Sequence, residues 1–311
     1  MSGARLSINL TGLEYFEGGV AGVLDFARAA EAAGVEQLTV SEHVAMGHEI
    51  VGYPYGRYPS TPDALWFEPI TLLSAIAAVT QRVRLSTSIL IAPLRPAVLL
   101  AKQLASLDQI SGGRLEVGLG TGWQRAEYDA CGVPFDGRLQ LLDEQVQAMR
   151  ALWSAAPAAF AGERIRFSNL YSLPHPAQPG GVPLWFGLAP SPANVARMAA
   201  YGAGWAPWFG LPSGDAAKDI SRSMAFERIA EGRARIHAAL RERGRDPASF
   251  AIRTMPEPVM GANGFDLAAT IASAGDYVAA GATHLEFAPG LFCQSADKLP
   301  AVLDAVLTLQ S

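Results

Sequence analysis

Short apolar runs of strand length recur along the chain, and each is followed by a stretch in which apolar residues return every three or four positions. The strand-like runs fall at 6–10, 37–41, 83–89, 115–119, 184–186, 204–206, 250–254 and 284–287. Between and after them the spacing predicts helices over 20–33, 69–79, 97–110, 139–153, 191–200, 225–243, 267–280 and 298–309. Gly34, Gly202, Gly244 and Gly281 stand where a helix ends in the left-handed conformation, and Asp266 and Asp297 stand where N-caps belong. Eight strand–helix units predict a (β/α)8 barrel of the TIM type, one domain over 1–311, with its site in loops at the C-terminal ends of the strands. A doubly wound open sheet is the alternative. It is weakened because no G-x-G-x-x-G follows the first strand and no break in composition divides two halves.

Three connections are long: 45–67, rich in Gly, Pro and Tyr; 154–182; and 207–224. The first and third follow strands and are expected to cover the barrel mouth as insertion loops. The middle one precedes a strand, and its RIRF (164–167) and YSL (171–173) suggest a small hairpin.

Composition narrows the partners. Half of the 311 residues are hydrophobic and 17% are charged, enough to bury a large core. A net charge of -5 with no basic run argues against nucleic acid or an anionic membrane, and so points to a small-molecule partner. The N-terminus has no secretory pattern and no window approaches about eighteen uninterrupted apolar residues, so a soluble, cytoplasmic protein is expected. Cys131 and Cys293 are expected to be free thiols, and no metal-ligand spacing is present.

Two segments carry most of the candidate chemistry. The run SGGRLEVGLGTGW (111–123) reads as a helix stop, a strand and a glycine-rich exit. Gly112 and Gly113 suit positive φ, whereas Gly118, Gly120 and Gly122 either let a ligand approach the backbone or relieve crowding in the barrel. At the end of the second strand, TVSEH (39–43) puts Glu42 and His43 at the catalytic end of the barrel, where an imidazole is suited to proton transfer and a carboxylate can orient it. His48 in the 45–67 connection is a lesser candidate for substrate contact; His175 sits in the Pro-rich insertion, and His237 and His284 read as structural. In LWFGLAPSPAN (184–194), Gly187 allows close approach and Ser191 can cap a helix whose N-terminus favours a phosphate, or simply start that helix. The third strand leaves through small hydroxyls, STS at 86–88, beside an apolar stretch that a ring could pack against.

Taken together, SEH (41–43), SILIAPLRPAVLLAKQLASLDQISGGRLEVGLGTGW (88–123), Glu127 just beyond, and VPLWFGLAPSPANVARMAAYGAGW (182–205) resemble the luciferase-like monooxygenase superfamily, particularly its branch that uses the deazaflavin coenzyme F420. The resemblance covers nearly the whole chain. It implies a TIM barrel binding FMN or deazaflavin at its C-terminal mouth, with Glu42 and His43 facing the ring and a non-proline cis peptide at Ser88-Ile89 forming a bulge behind it. It also implies that Gly120, Thr121 and Gly122 lie near the ring and that Gly187, Leu188, Ala189 and Ser191 form the phosphate-side loop. Three positions depart from the family pattern: Leu188 and Ala189 follow Gly187 where glycine is usual, Gly202-Ala203-Gly204 replaces Gly-Asp-Gly, and Trp123 stands where a sugar-phosphate subgroup has Glu. The resulting expectation is a deazaflavin-dependent oxidoreductase exchanging a hydride with a small organic substrate. In it His43 moves the proton, Glu42 orients His43 or tunes the ring, and Trp66, Trp123, Trp208 and Glu127 line the substrate pocket. The alternative is a two-component FMN monooxygenase fed by a partner flavin reductase; a non-catalytic flavin-binding barrel is a third reading. Relatives are commonly homodimers.

Overall fold

A computed structural model describes residues 4–13, 18–55, 58–210, 218–293 and 295–310. The chain runs β1 (Arg5–Asn9), α1 (Gly19–Ala32), β2 (Gln37–Val40), α2 (Pro69–Val79), β3 (Arg84–Ile91), α3 (Ala97–Ile110), β4 (Leu115–Gly120), α4 (Arg125–Ala130) and α5 (Arg138–Ser154). It continues β5 (Ala158–Ala161), β6 (Arg166–Leu170), β7 (Leu184–Phe186), α6 (Pro192–Tyr201), β8 (Gly204–Trp205), α7 (Lys218–Glu242) and β9 (Ala251–Thr254). It ends with β10 (Val259–Gly261), β11 (Gly264–Asp266), α8 (Leu267–Ala272), α9 (Ala274–Ala280), β12 (His284–Phe287) and α10 (Leu299–Leu307). Eight strands close a parallel barrel in the order β1-β12-β9-β8-β7-β4-β3-β2, each predicted strand taking its place.

The differences from expectation have local causes. The hairpin pairs β5 with β6, Ala158 opposite Leu170 and Phe160 opposite Phe167, so Arg164 lies in the turn and Tyr171 beyond the pairing. Residues 218–224 begin α7 instead of extending a loop, and 211–217 of that connection lie outside the described residues. The predicted 267–280 helix breaks at Ser273 into α8 and α9, α4 was not foreseen, and β10–β11 adds a second hairpin. Gly34, Gly244 and Gly281 have positive φ as helix stops, but Gly202 is extended at φ -81°. Asp266 caps α8 through Ala269 N–H, whereas Asp297 lies inside a short 3-10 turn before α10.

Period-two alternation sorts each barrel strand into two faces. Leu6, Ile8, Leu38, Leu85, Val117 and Leu285 are buried in the apolar layer. Their neighbours Ser7, Asn9, Gln37, Thr39, Ser86, His284 and Glu286 make a buried polar set inside the barrel. They satisfy one another, as where Ser7 Oγ donates to Gln37 Oε1 at 3.0 Å. His284 is closed in by the Trp185 ring at 5.2 Å, with Nδ1 2.9 Å from Thr283 Oγ1. Burial, followed by nearby Arg253, pushes its pKa down from 6.5 to about 3. Below pH 6.5 the unfolded chain takes up a proton that the folded chain refuses until about 3, so stability falls over that window on acidification. Urea melts are expected to show a loss of ~2 kcal/mol between about pH 7 and 5 from this group. His284→Gln should flatten that limb, and an unchanged pH slope would remove His284 as its cause.

The glycines of β4 make room for a side chain. Two residues of β3, Ser88 and Ile89, bulge out of register between the pairs Thr87–Val117 and Leu90–Leu119, and the Ser88–Ile89 peptide is cis. A Cβ on Gly118 would collide with Thr87 O, one on Gly120 would collide with Ile89 Cδ1, and one on Gly187 would lie 2.8 Å from Ile89 Cγ2. Gly120→Ala is therefore expected to cost ~1–3 kcal/mol by overpacking. Adding Ile89→Ala should recover part of that loss in a urea-melt double-mutant cycle; simple additivity would mean that the two positions do not compete for space.

Candidate active site

The C-terminal ends of the strands surround a cavity of about 1130 Å³, slightly above the ~300–1,000 Å³ usual for small-molecule sites. Glu42, His43, Ser88, Ile89, Thr121, Gly122, Gly187, Leu188, Ala189, Trp66, Trp123 and Trp208 all line it. Gly120, Ser191 and Glu127 do not. Gly120 is buried against Ile89. Ser191 is exposed and caps α6, its hydroxyl accepting from Asn194 N–H. His48 is also exposed and outside the lining.

Glu127, expected in the pocket wall, sits behind it on α4, fully buried. One carboxylate oxygen lies 3.2 Å from His43 Nδ1, and the other accepts from Val44 N–H at 2.5 Å and Ala45 N–H at 3.4 Å. Gln124, one turn earlier, accepts from Gly47 N–H at 2.8 Å. The start of α4 therefore orients the imidazole and pins the root of the 45–67 connection. This corrects the expectation that Glu42 orients His43. The Glu42 carboxylate instead accepts from Ile91 N–H at 2.6 Å and pairs with Arg95, which also reaches Glu68 at 2.8 Å. Burial raises the pKa of Glu42, with Arg95 opposing the shift. Glu68 in turn accepts from Thr71 N–H at the start of α2, so Glu42 ties the end of β2 to the end of β3 and, through Arg95 and Glu68, to the α2 N-terminus.

At the bottom of the cavity Glu286 is the hub of a polar network that the sequence pattern did not single out. Its carboxylate accepts from Ser88 Oγ at 2.9 Å, Asn9 Nδ2 at 3.2 Å and Thr39 Oγ1 at 3.0 Å. Arg253 Nε lies 3.1 Å away as an ion pair. The Arg253 guanidinium is buried and donates to Gln37 Oε1 at 2.7 Å, Ser86 Oγ at 3.0 Å and Thr87 O at 2.9 Å. Ser41 Oγ donates to Ser88 O at 2.8 Å, so β2 and β12 both hold the bulge that presents Ile89.

On the phosphate side, Leu188 O accepts from Trp205 Nε1 at 2.9 Å and Ala189 O from Asn194 Nδ2 at 2.7 Å, fixing the loop after β7. Arg125 and Arg138, also unforeseen, line the same cavity and stack on Phe135 at 4.6 and 3.8 Å. Arg138 Nε is buried with no hydrogen-bond partner. Over the mouth, Trp208 Nε1 donates to Tyr53 OH at 2.8 Å, joining the connections after β2 and β8. Among the described residues no group of three His, Cys, Asp or Glu is placed to hold a metal, and no helix is long and apolar enough to cross a membrane.

A TIM barrel with a deep, aromatic-walled site at its C-terminal mouth is a small-molecule enzyme scaffold. The chain belongs to the luciferase-like monooxygenase family, whose model matches residues 10–264. The family's members are oxidoreductases and monooxygenases. An uncharacterized protein of Mycobacterium tuberculosis is 36% identical over 188 residues, which are 58% of this chain and 64% of that protein. The fold matches the monooxygenase RslO1 from Streptomyces bottropensis with a TM-score of 0.74 at 22% identity, over 97% of this chain and 96% of that one. It also matches an F420-dependent secondary alcohol dehydrogenase in complex with an F420–acetone adduct, TM-score 0.71 at 18% identity, over 98% and 99% of the two chains.

Proposed function

We propose that the protein is a deazaflavin (F420)-dependent oxidoreductase that exchanges a hydride with a small organic substrate. The observation that carries this reading is the His43–Glu127 pair: a buried imidazole held through Nδ1 at the cavity wall, which leaves Nε2 for a substrate oxygen. Hydride transfer from an alcohol or to a carbonyl needs one proton moved at that oxygen, and His43 is placed to move it.

The residues present fit a flavin-type group. Ile89 and the loop 187–189 offer an apolar wall and a backbone-lined edge, and the unpartnered Arg138 Nε is a donor suited to a phosphate oxygen. When bound, the coenzyme supplies the two-electron acceptor or donor; the chain binds it, excludes water and handles the proton. A cytoplasmic homodimer belongs to the same proposal.

The two-component FMN monooxygenase, with reduced flavin delivered by a partner reductase, is the second reading. Favouring it is the aromatic cover clasped by Trp208 and Tyr53, because oxygen chemistry needs a dry cavity. Fluorescence titration of the purified chain with F420 and with FMN separates the two. Tighter binding of F420, weakened by Arg138→Ala, is the expected result; tight binding of FMN alone overturns the deazaflavin reading.

A further inference from the structure

The mouth half of the cavity is aromatic, and among the described residues no Arg or Lys stacks on its tyrosine and tryptophan rings. We propose that it takes a neutral ring compound carrying one hydroxyl or carbonyl oxygen, held with that oxygen at His43. The reaction of such a compound rests on the deazaflavin reading, whereas the binding preference does not.

Tyr53 is the centre of this half. Its ring meets Tyr55, Tyr58 and Trp123 edge-on at 5.5, 5.2 and 5.2 Å, and its hydroxyl receives Trp208 Nε1. His43 is embedded in the same wall, with Trp66 at 4.9 Å, Trp123 at 5.9 Å and Tyr58 at 6.0 Å, all nearly perpendicular. Rings arranged this way offer a flat guest the offset and edge-to-face contacts that aromatic groups prefer. Burial raises the pKa of Tyr53 and of Tyr55, so both phenols stay neutral around pH 7. Trp66 Nε1 is buried without a hydrogen-bond partner, a donor that a ligand oxygen against this wall would satisfy.

The charged lining groups among the described residues are engaged away from these rings. Glu42 is paired with Arg95, Glu286 pairs with Arg253 at the barrel floor, and Arg125 and Arg138 stack on Phe135 on the phosphate side, where Arg138 Nε is left for a coenzyme oxygen. Among the described residues no Arg stacks on the rings of Tyr53, Tyr58, Trp66 or Trp123, so an anionic guest against them meets ring faces, and a cationic guest finds carboxylates already paired. A neutral guest loses nothing of this kind. For an alcohol of this class, the carbinol C–H leaves as hydride to the coenzyme and the O–H proton passes to His43 Nε2. A C=O bond forms, and the substrate is oxidised by the two electrons that reduce the coenzyme.

Calorimetric titration of the purified chain with 1-indanol, 2-propanol, benzoate and benzylammonium tests the binding preference. 1-Indanol is expected to bind at least about tenfold more tightly than each of the other three. Trp66→Ala or Trp123→Ala, checked for an unchanged melting temperature, should weaken 1-indanol by about five- to tenfold. Equal affinity for benzoate or benzylammonium, no advantage of the ring over 2-propanol, or folded tryptophan variants that bind 1-indanol as the parent does would each overturn the proposal. If a tryptophan variant does not fold, the four-ligand comparison on the parent chain decides alone. Binding of 1-indanol by a chain that ignores F420 would sink the deazaflavin reading and leave this one standing; F420 binding without the ring preference would do the reverse.

Discussion

Replacing Arg253 with Met is expected to lower the stability of the barrel by ~3–5 kcal/mol, the usual effect of leaving a buried carboxylate without its cation. Arg253 is 1% exposed and Glu286 5%, and no other Arg or Lys pairs with Glu286 among the described residues. Burial pulls the Arg253 pKa down, with Glu286 and Glu116 opposing the shift. The loss reaches the site through Ser88, whose hydroxyl is held by Glu286 while its carbonyl is held by Ser41. Urea melts of Arg253→Met, Glu286→Gln and the double variant check this. The double variant should be more stable than Arg253→Met alone, since the amide introduced by Glu286→Gln can still accept from Ser88 and Asn9 without carrying a charge. If Arg253→Met melts like the parent, the pair does not anchor the barrel floor.

That network also shows where the sequence was readable and where it was not. The short apolar runs around Leu6–Ile8, Leu38–Val40 and Val83–Leu85 located the strands because an outward barrel face must bury apolar area against helices. The alternate polar positions Ser7, Asn9, Gln37, Thr39, Ser86, His284 and Glu286 lie in the same strands and face the barrel interior. The hydroxyls at 86–88 were legible, but Glu286 as their hub was not, because most barrels fill their centre with branched apolar side chains. Glu42 and His43 were placed correctly at the mouth, but their coupling was not. Adjacent residues on an extended chain point to opposite sides, so the partner of His43 had to come from another element. That partner, Glu127, is 84 positions away on a six-residue helix too short to leave a periodic signal. The glycines of β4 were legible as missing side chains. The bulge at Ser88-Ile89 was implied by the resemblance, but that Gly120 makes room for the Ile89 side chain and Gly118 for the Thr87 carbonyl is read only from the packing of β3 against β4.

His43→Ala is expected to slow hydride transfer by about 10²–10⁴-fold, the range a positioned general acid or base contributes, while leaving coenzyme affinity within about threefold. The separation follows from geometry. His43 lines the cavity with Nδ1 held by Glu127, which leaves Nε2 for the substrate, whereas in the proposed reading the coenzyme would be held by the Ile89 wall, the 187–189 loop and Arg138. Glu127→Gln tests the other half of the pair. A carboxylate accepts only, so it fixes the proton on Nδ1 and leaves Nε2 free to take or give one; an amide can present either a donor or an acceptor and loses that selection. The variant keeps the volume of Glu127 and an oxygen for Val44 N–H, so its melting temperature should move little while kcat falls by about tenfold or more and KM stays nearly constant. Single-turnover kinetics with parallel coenzyme titrations distinguishes the outcomes. Equal loss of rate and coenzyme affinity in His43→Ala would make His43 a binding residue. A rise in KM without a fall in kcat in Glu127→Gln would mean that Glu127 acts through the 45–67 connection instead of the imidazole.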